Sequence, residues 1–373
     1  MKLILLFTTF IIGFSAFTQQ FNQNIMIGSE SRDYIYYIPA IYNPATDTVP
    51  LVFIFHGLGG NATGMVSAGF NQIADTANMI PVYMEGKLNL YGQTGWNNGT
   101  LLSPAFDDLA FVAQVLDSIQ ANFNIDTTRI FSTGFSMGSI MSHHIACHNE
   151  EFSAIAAIAG PLSTGDLNNN PRTTPLRVMH MHGTADPTVP YDSGALPSLS
   201  LVPQTLEHWK NYNSCSDSIG YAIENVASDG ITVDWFVYNG CTPGTELEFW
   251  RLNGAAHIWP YPPVNDIFAT TIVWSFLMQY DHGYQYGQLA LNEFDINDNI
   301  EFYPNPANDF INITTDDLIQ KTLLFSSNGT LVKESDYNSV NSVKEDLSKL
   351  ESGIYYMYVS TNIGGKTLRI IKK

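Results

Sequence analysis

The 373-residue chain is short of charge, and shortest of positive charge. Asp, Glu, Lys and Arg make up 14% of it, and 16 Lys and Arg stand against 35 Asp and Glu, for a formal net charge of −19. Such a surface repels nucleic acid and anionic membrane, so neither is expected as a partner. Cysteine is scarce too: Cys147, Cys215 and Cys241 are the three present, with no C-x-x-C spacing, which excludes a zinc site built on thiolates. Apolar runs of spanning length are missing. At the N-terminus, MKLILLFTTFIIGFSAFTQQ has one lysine, an apolar core over residues 3–14 and small residues near 15–18. That core is too short to cross a bilayer comfortably, and the pattern reads as a secretory signal peptide over residues 1–18. The expected protein is exported, secreted or at the cell surface, with no membrane span. In an oxidising compartment Cys215 and Cys241 can pair, with Cys147 left as a buried, inert thiol at a helix end.

What the chain has in quantity is apolar: 45% hydrophobic and 13% aromatic residues exclude a disordered chain. Its length suits one large domain with a smaller one. Residues 33–38 read as an early strand. Residues 49–55, VPLVFIF, form a continuous apolar run ending in His-Gly, the mark of a strand buried on both faces. Similar runs at 80–83, 130–133, 154–158 and 176–181 alternate with helical patterns. One of these, 107–123, opens with Asp107 and Asp108, which suits its dipole. The alternation predicts an α/β fold with a doubly wound, mostly parallel sheet over residues 19–282. Segments 231–238 and 245–252 add late strands, and 264–280 a closing helix. Residues 283–299 are polar and rich in Gly, Asn and Asp; they read as a linker, with Asp295 and Asp298 solvated rather than holding calcium. Short strand-like runs follow at 300–303, 310–314, 321–325, 354–359 and 367–371, so residues 300–373 are expected to be a small all-β sandwich. The polar linker predicts few contacts between this tail and the larger domain.

Chemistry enters at T-G-F-S-M-G-S, residues 133–139. It lies between a β-prone run and a proline-free helical one, so Gly134-Phe135-Ser136-Met137-Gly138 is G-x-S-x-G at a strand-to-helix junction. A nucleophile on so sharp a turn needs neighbours without side chains, so that chain and substrate can approach closely. In a sheet of this type the partners follow in the order acid, then histidine, at the carboxyl ends of later strands. Asp186 lies just past the run LRVMHMHG, and His257 in the small-residue loop after FWRL. The strand at 49–55 delivers His56-Gly57-Leu58-Gly59-Gly60, whose backbone N–H groups can face an oxyanion. Ser136, Asp186 and His257 thus form a candidate triad. His257 takes the serine proton, Asp186 fixes the imidazole, and the N–H groups of Leu58 and Met137 hold the tetrahedral oxyanion. No cofactor or metal is required.

Competing readings stay beside these. Asp186 could be a turn residue before Pro187, with Asp192 as the acid. His180 and His182 share a strand face, and core or strand-end histidines are the better reading than a metal pair. His143 and His144 point to different helix faces and are no chelate. His56 reads as a loop-ordering residue rather than a base. Trp96 and Trp259 are candidates for the substrate cleft, though either could be core.

At HGLGGN (56–61), DDLAFVAQVLDSIQANFNIDTTRIFSTGFSMGS (107–139), HGTADPTVPY (182–191), the cysteines at 215 and 241, and GAAHIWP (254–260), the chain resembles secreted feruloyl esterases and polyhydroxybutyrate depolymerases of the α/β-hydrolase superfamily. The resemblance covers residues 30–282. It implies the same nucleophile, acid and base, a Cys215–Cys241 disulfide, and an ester substrate on an extracellular polymer: feruloyl or acetyl groups on polysaccharide, or a polyester. Ser139 replaces the family's usual second glycine after the elbow, and Ala255-Ala256 replace glycines before the histidine, which leaves the acyl group and the polymer open. FYPNPANDFINI (302–313) and the ending SGIYYMYVSTNIGGKTLRIIKK resemble a type IX secretion sorting domain, which implies the secretion machinery as partner. A serine peptidase of related fold is disfavoured because no propeller or gating domain precedes the catalytic part. A non-catalytic surface-binding protein is disfavoured by the intact triad.

Overall fold

The computed structural model describes residues 19–278 and 300–373, apart from residues 175, 195, 224, 226, 228, 262–264, 327–330 and 362–364. The expected signal peptide and linker, with Asp295 and Asp298, lie outside the described residues. Seven strands precede the elbow helix or lead into it: β1 (Gln20–Ile27), β2 (Glu30–Tyr37), β3 (Val49–Phe55), β4 (Ile80–Met84), a small hairpin of β5 (Lys87–Leu88) with β6 (Thr94–Gly95), and β7 (Ile125–Phe135). After it come β8 (Ala154–Ile158), β9 (Arg177–Gly183), β10 (Asp217–Ala222), β11 (Thr232–Asn239) and β12 (Leu247–Asn253). Ten of these make one sheet in the order β1-β2-β4-β3-β7-β8-β9-β12-β11-β10. From β4 to β12 every neighbour is parallel, and two antiparallel strands close each edge. The centre is parallel because β3, β4, β8 and β9 are buried along their whole length, as a strand covered by helices on both faces must be.

The helices are α1 (Ala62–Val66), α2 (Phe70–Ala77), α3 (Asp108–Asn122), α4 (Met137–His148), α5 (Thr164–Asn168), α6 (Val202–Tyr212) and α7 (Ala269–Leu277). Asp107 caps α3 by accepting from Ala110 N at 2.9 Å. Asp108 is buried against Arg32 at 2.5 Å, pinning that helix to β2. Two apolar clusters cover the two faces of the sheet. One is built on α3, α4 and the outward side chains of β3 and β4; the other is built on α2 and α7.

The tail is all-β, as expected. Its strands are β13 (Glu301–Tyr303), β14 (Phe310–Ser326), β15 (Leu331–Asp346), β16 (Gly353–Thr361) and β17 (Gly365–Lys372). All belong to one antiparallel sheet. The runs at 310–314 and 321–325 are halves of the single long strand β14, whose register with β15 shifts between Thr314 and Ile319. The sheet curls toward closure where Ala307 N donates to Ile371 O at 2.7 Å, around a core that includes Ile311, Ile313, Leu324, Met357 and Ile370.

The expectation of a loosely attached tail is overturned. Arg369 on β17 pairs with Glu248 of β12, lies 3.7 Å from Glu246, and stacks 4.1 Å above the Trp235 ring. Glu248 is itself buried and accepts from the indoles of Trp235 at 2.9 Å and Trp250 at 3.2 Å. Ile354 and Tyr356 of β16 join the cluster of the larger domain that contains α7. A cavity of about 310 Å³ remains between the two, walled by Ile73, Phe268 and Trp274 on one side and Phe325, Tyr356 and Tyr358 on the other. A polar linker says nothing about the faces it joins; the alternation of β16 and β17 supplied an apolar face for each of two cores.

Candidate active site

Ser136 stands between β7 and α4 with φ 56° and ψ −119°, a left-handed conformation that a residue with a Cβ adopts only when its surroundings force it. The neighbouring glycines explain how. A Cβ on Gly134 would lie 2.3 Å from Gly138 O, and one on Gly138 would lie 2.1 Å from Phe55 O. The elbow is pressed against the end of β3, and only hydrogen fits. Ser136 N donates to Ile158 O at 2.8 Å, fixing the turn to β8.

Asp186 follows β9 and His257 follows β12, as the sequence predicts. The pairing is direct: His257 Nδ1 and Asp186 Oδ2 are 2.6 Å apart. Asp192 is exposed, so Asp186 and not Asp192 holds the histidine. The other face of the Asp186 carboxylate accepts from Thr188 N at 2.8 Å and Val189 N at 2.9 Å. Burial pushes this carboxyl up, but hydrogen bonds from His182, His257 and the Val189 N–H outweigh it and hold the group well below the usual carboxylate range. Asp186 is therefore an anion throughout the neutral range. The His257 ring lies 4.8 Å from the ring of Phe135, the residue before Ser136. Among the described residues no hydrogen bond joins Ser136 Oγ to His257; in ligand-free sites such bonds are often long and tighten when substrate binds.

The loop after β3 lies beside the candidate nucleophile: a Cβ on Gly57 would touch Ser136 Cβ at 3.2 Å. His56 orders that loop, as expected of it. Its Nε2 accepts from Gly86 N at 2.9 Å, which leaves Nδ1 to donate to Gly57 O at 2.7 Å. Burial lowers its pKa to about 4, so it is neutral. Neither the Leu58 nor the Met137 N–H has a hydrogen-bond partner among the described residues, as groups reserved for an oxyanion require.

Trp96 needs correction. It is fully buried, donates its indole N–H to His56 O at 2.8 Å, and packs edge-on to Phe55. It lines no cleft; it props the loop that carries Leu58. Trp259 stays half-buried, 6.4 Å from the Phe135 ring, and donates to Thr270 Oγ1 at 3.1 Å. The Cys215–Cys241 disulfide is formed, and Cys147 is a free buried thiol whose pKa burial pushes up.

Sequence reasoning missed what stands behind Asp186. Trp209 Nε1 donates to His143 Nδ1 at 3.2 Å; His143 Nε2 meets His180 Nδ1 at 3.3 Å; His180 Nε2 meets His182 Nδ1 at 3.3 Å. His182 Nε2 faces Val189 O at 2.9 Å and Asp186 Oδ2 at 3.4 Å. An indole can only donate. His143 Nδ1 is therefore an acceptor, its proton is on Nε2, and the same choice passes down the row. Burial pushes His143 down to about 3 and His180 well below the imidazole range. His143 and His180 are therefore neutral, and the row runs one way, ending with His182 Nε2 as a donor aimed at Asp186. The H-x-H spacing of β9 signalled half of it. His143 and Trp209 arrive from α4 and α6, which no local pattern links.

Residues 37–210 match the phospholipase/carboxylesterase family, and residues 301–373 match the secretion system C-terminal sorting domain. A Nocardia uniformis subsp. tsuyamanensis protein named as an esterase is 33% identical over 149 residues, 38% of this chain and 42% of that relative. A protein of Aspergillus niger named as feruloyl esterase C is 26% identical over 239 residues, 58% of this chain and 83% of the relative. Feruloyl esterase D of Neurospora crassa is 25% identical over 263 residues, 68% of this chain and 84% of the relative. The chain thus spans less than half of the first relative and more than four fifths of the other two.

Proposed function

We propose that this chain, a carboxylic ester hydrolase whose residues 37–210 match the phospholipase/carboxylesterase family and whose tail is a type IX sorting domain that directs its export, works through a serine acyl-enzyme on esters of extracellular polymers. The observation that carries the mechanism is the 2.6 Å contact of His257 Nδ1 with Asp186, beside a serine held at φ 56°. With Nδ1 bound to the anion, Nε2 is free to take the Ser136 proton as Oγ attacks the ester carbonyl. Charge on the carbonyl oxygen passes to the Met137 and Leu58 N–H groups, each such donor contributing about 2.7–4 kcal/mol to the transition state. His257 then returns the proton to the departing alcohol. Water, deprotonated by the same imidazole, releases the acid.

Export favours a substrate too large to enter the cell. The feruloyl esterase names of two relatives support a feruloyl ester ahead of a polyester. The half-buried Trp259, beside Phe135 and His257, is suited to an aromatic acyl group. The test is turnover of methyl ferulate, acetylated xylan and polyhydroxybutyrate by the purified chain and by Ser136→Ala, with a fluorophosphonate label on Ser136 as the second readout. Labelling at another residue, or near-normal turnover by Ser136→Ala, refutes the mechanism. Turnover of polyhydroxybutyrate alone refutes the substrate class.

A further inference from the structure

The far end of the elbow helix carries a second group of side chains that the ester chemistry does not use. His144 and His148, one turn apart on α4, both face Asp166 of α5. His144 Nδ1 lies 2.9 Å from Asp166 Oδ2 and 3.1 Å from Oδ1, and His148 Nε2 lies 2.9 Å from Oδ1. The ligand-type atoms of all three residues lie within 4.8 Å of one another. We propose that His144, His148 and Asp166 form a site for a first-row divalent metal ion of the Zn²⁺ type.

Geometry and donor type both support this. Metal–ligand bonds of about 2.0–2.1 Å at tetrahedral angles set ligand atoms about 3.3 Å apart. The two histidine–aspartate separations fall a few tenths of an ångström short of this, and all three ligand atoms lie within 4.8 Å of one another, so side-chain rotations that part each histidine from the carboxylate admit the ion. Two imidazoles and one carboxylate suit Zn²⁺, Co²⁺ or Ni²⁺, and exclude Ca²⁺ and Mg²⁺, which take oxygen ligands. The carboxylate is held ready: Ser163 Oγ donates to Asp166 Oδ2 at 3.0 Å, the outer contact that orients ligands in metal sites. Asp166 is buried while the His148 side chain is 27% exposed. The open side therefore offers a fourth position to water.

The site is structural rather than catalytic. His144 and His148 are eight and twelve residues beyond Ser136, roughly 12 and 18 Å along a helix axis. An ion there would tie the last turn of the nucleophile's helix to the segment after β8, and would touch no reacting atom.

The experiment is titration of the chelator-stripped, full-length protein with Zn²⁺ alone and with Co²⁺ alone. About one equivalent should bind, with Co²⁺ showing the strong visible absorption of four-coordinate nitrogen and oxygen ligands. His148→Ala should weaken binding by at least about 100-fold, the upper end of what losing even an outer-shell partner costs. Its turnover of a small ester should be unchanged. Crystals of the unmutated protein soaked in Zn²⁺ should give an anomalous peak between the three residues, a readout that does not depend on any variant folding. Equal affinity in wild type and His148→Ala, or no anomalous peak at this position, overturns the proposal and leaves a plain histidine–aspartate hydrogen-bonded cluster.

Discussion

Replacing Arg369 with methionine tests the docking of the tail. The guanidinium pairs with Glu248, lies 3.7 Å from Glu246 and covers the Trp235 ring at 4.1 Å. Methionine fills much of the same volume and keeps the contact with Trp235, but removes the charge. Glu248 would then face the interface with two indole donors and no cation. Burial and the Glu248 charge already push Glu246 up, and Arg369 opposes them first, with Arg177 adding to it. Breaking a buried pair by removing one partner costs about 3–5 kcal/mol. The Arg369 side chain is 17% exposed, so the low end applies, about 3 kcal/mol, roughly a hundredfold in the docking equilibrium. Urea unfolding followed by tryptophan fluorescence reads this directly, because Trp235 and Trp250 flank the pair. Adding Glu248→Gln should recover part of the loss, since the amide oxygen still accepts from both indoles. A shift below about 0.5 kcal/mol for Arg369→Met, the scatter of ordinary surface substitutions, would show that the tail is not held by this contact.

Four further outcomes follow from the geometry. A chain ending at Leu291 should still hydrolyse small esters, but melt earlier than the full-length protein by calorimetry, because it loses the cover over Trp235, Phe268 and Trp274; equal melting temperatures would contradict the described interface. Trp209→Phe should free the tautomer of His143, lowering kcat several-fold with KM unchanged and leaving a mixed tautomer signal in ¹⁵N spectra; a single unchanged tautomer would refute the directional row. Acid should destabilise the protein through Asp186: its folded pKa is lowered, so its contribution is complete above the unfolded value of about 3.9 and disappears as pH falls below it. Asp186→Asn should flatten that acid limb in pH-dependent melts. Reducing the Cys215–Cys241 bond, which closes a separation of 26 residues, should cost roughly 3 kcal/mol, with Cys147 unreactive to thiol reagents until the protein unfolds.

The catalytic candidates were legible because each is announced locally. Gly134 and Gly138 flank Ser136 for steric reasons that hold wherever the strand meets the helix, and Asp186 and His257 sit at strand ends whose apolar runs are unmistakable. The edge strands β1 and β10 were not anticipated, since QFNQNIMI and DSIGYA leave most residues exposed and lack the alternation of a half-buried strand. Most of β15 is polar for the same reason. Trp96 shows a second limit: one aromatic reads the same in a core and in a cleft, and only the fold reveals that its indole is satisfied by His56. The His144–His148 pair was not anticipated from sequence, and Asp166 reaches it from another element.

The row of imidazoles behind Asp186 also bears on how this site can evolve. A serine–histidine pair with an exposed acid can exchange that acid for a neighbour when a loop shifts. Here Asp186 faces a donor, His182, whose orientation is set three side chains away, by the buried indole of Trp209 on α6. Asp192, six residues downstream, has no such supply, so moving the acid would require rebuilding the interior between α4, α6 and β9. The half-buried loop at Trp259 can vary without disturbing that interior, while the position of the Asp186 carboxylate is fixed by the core.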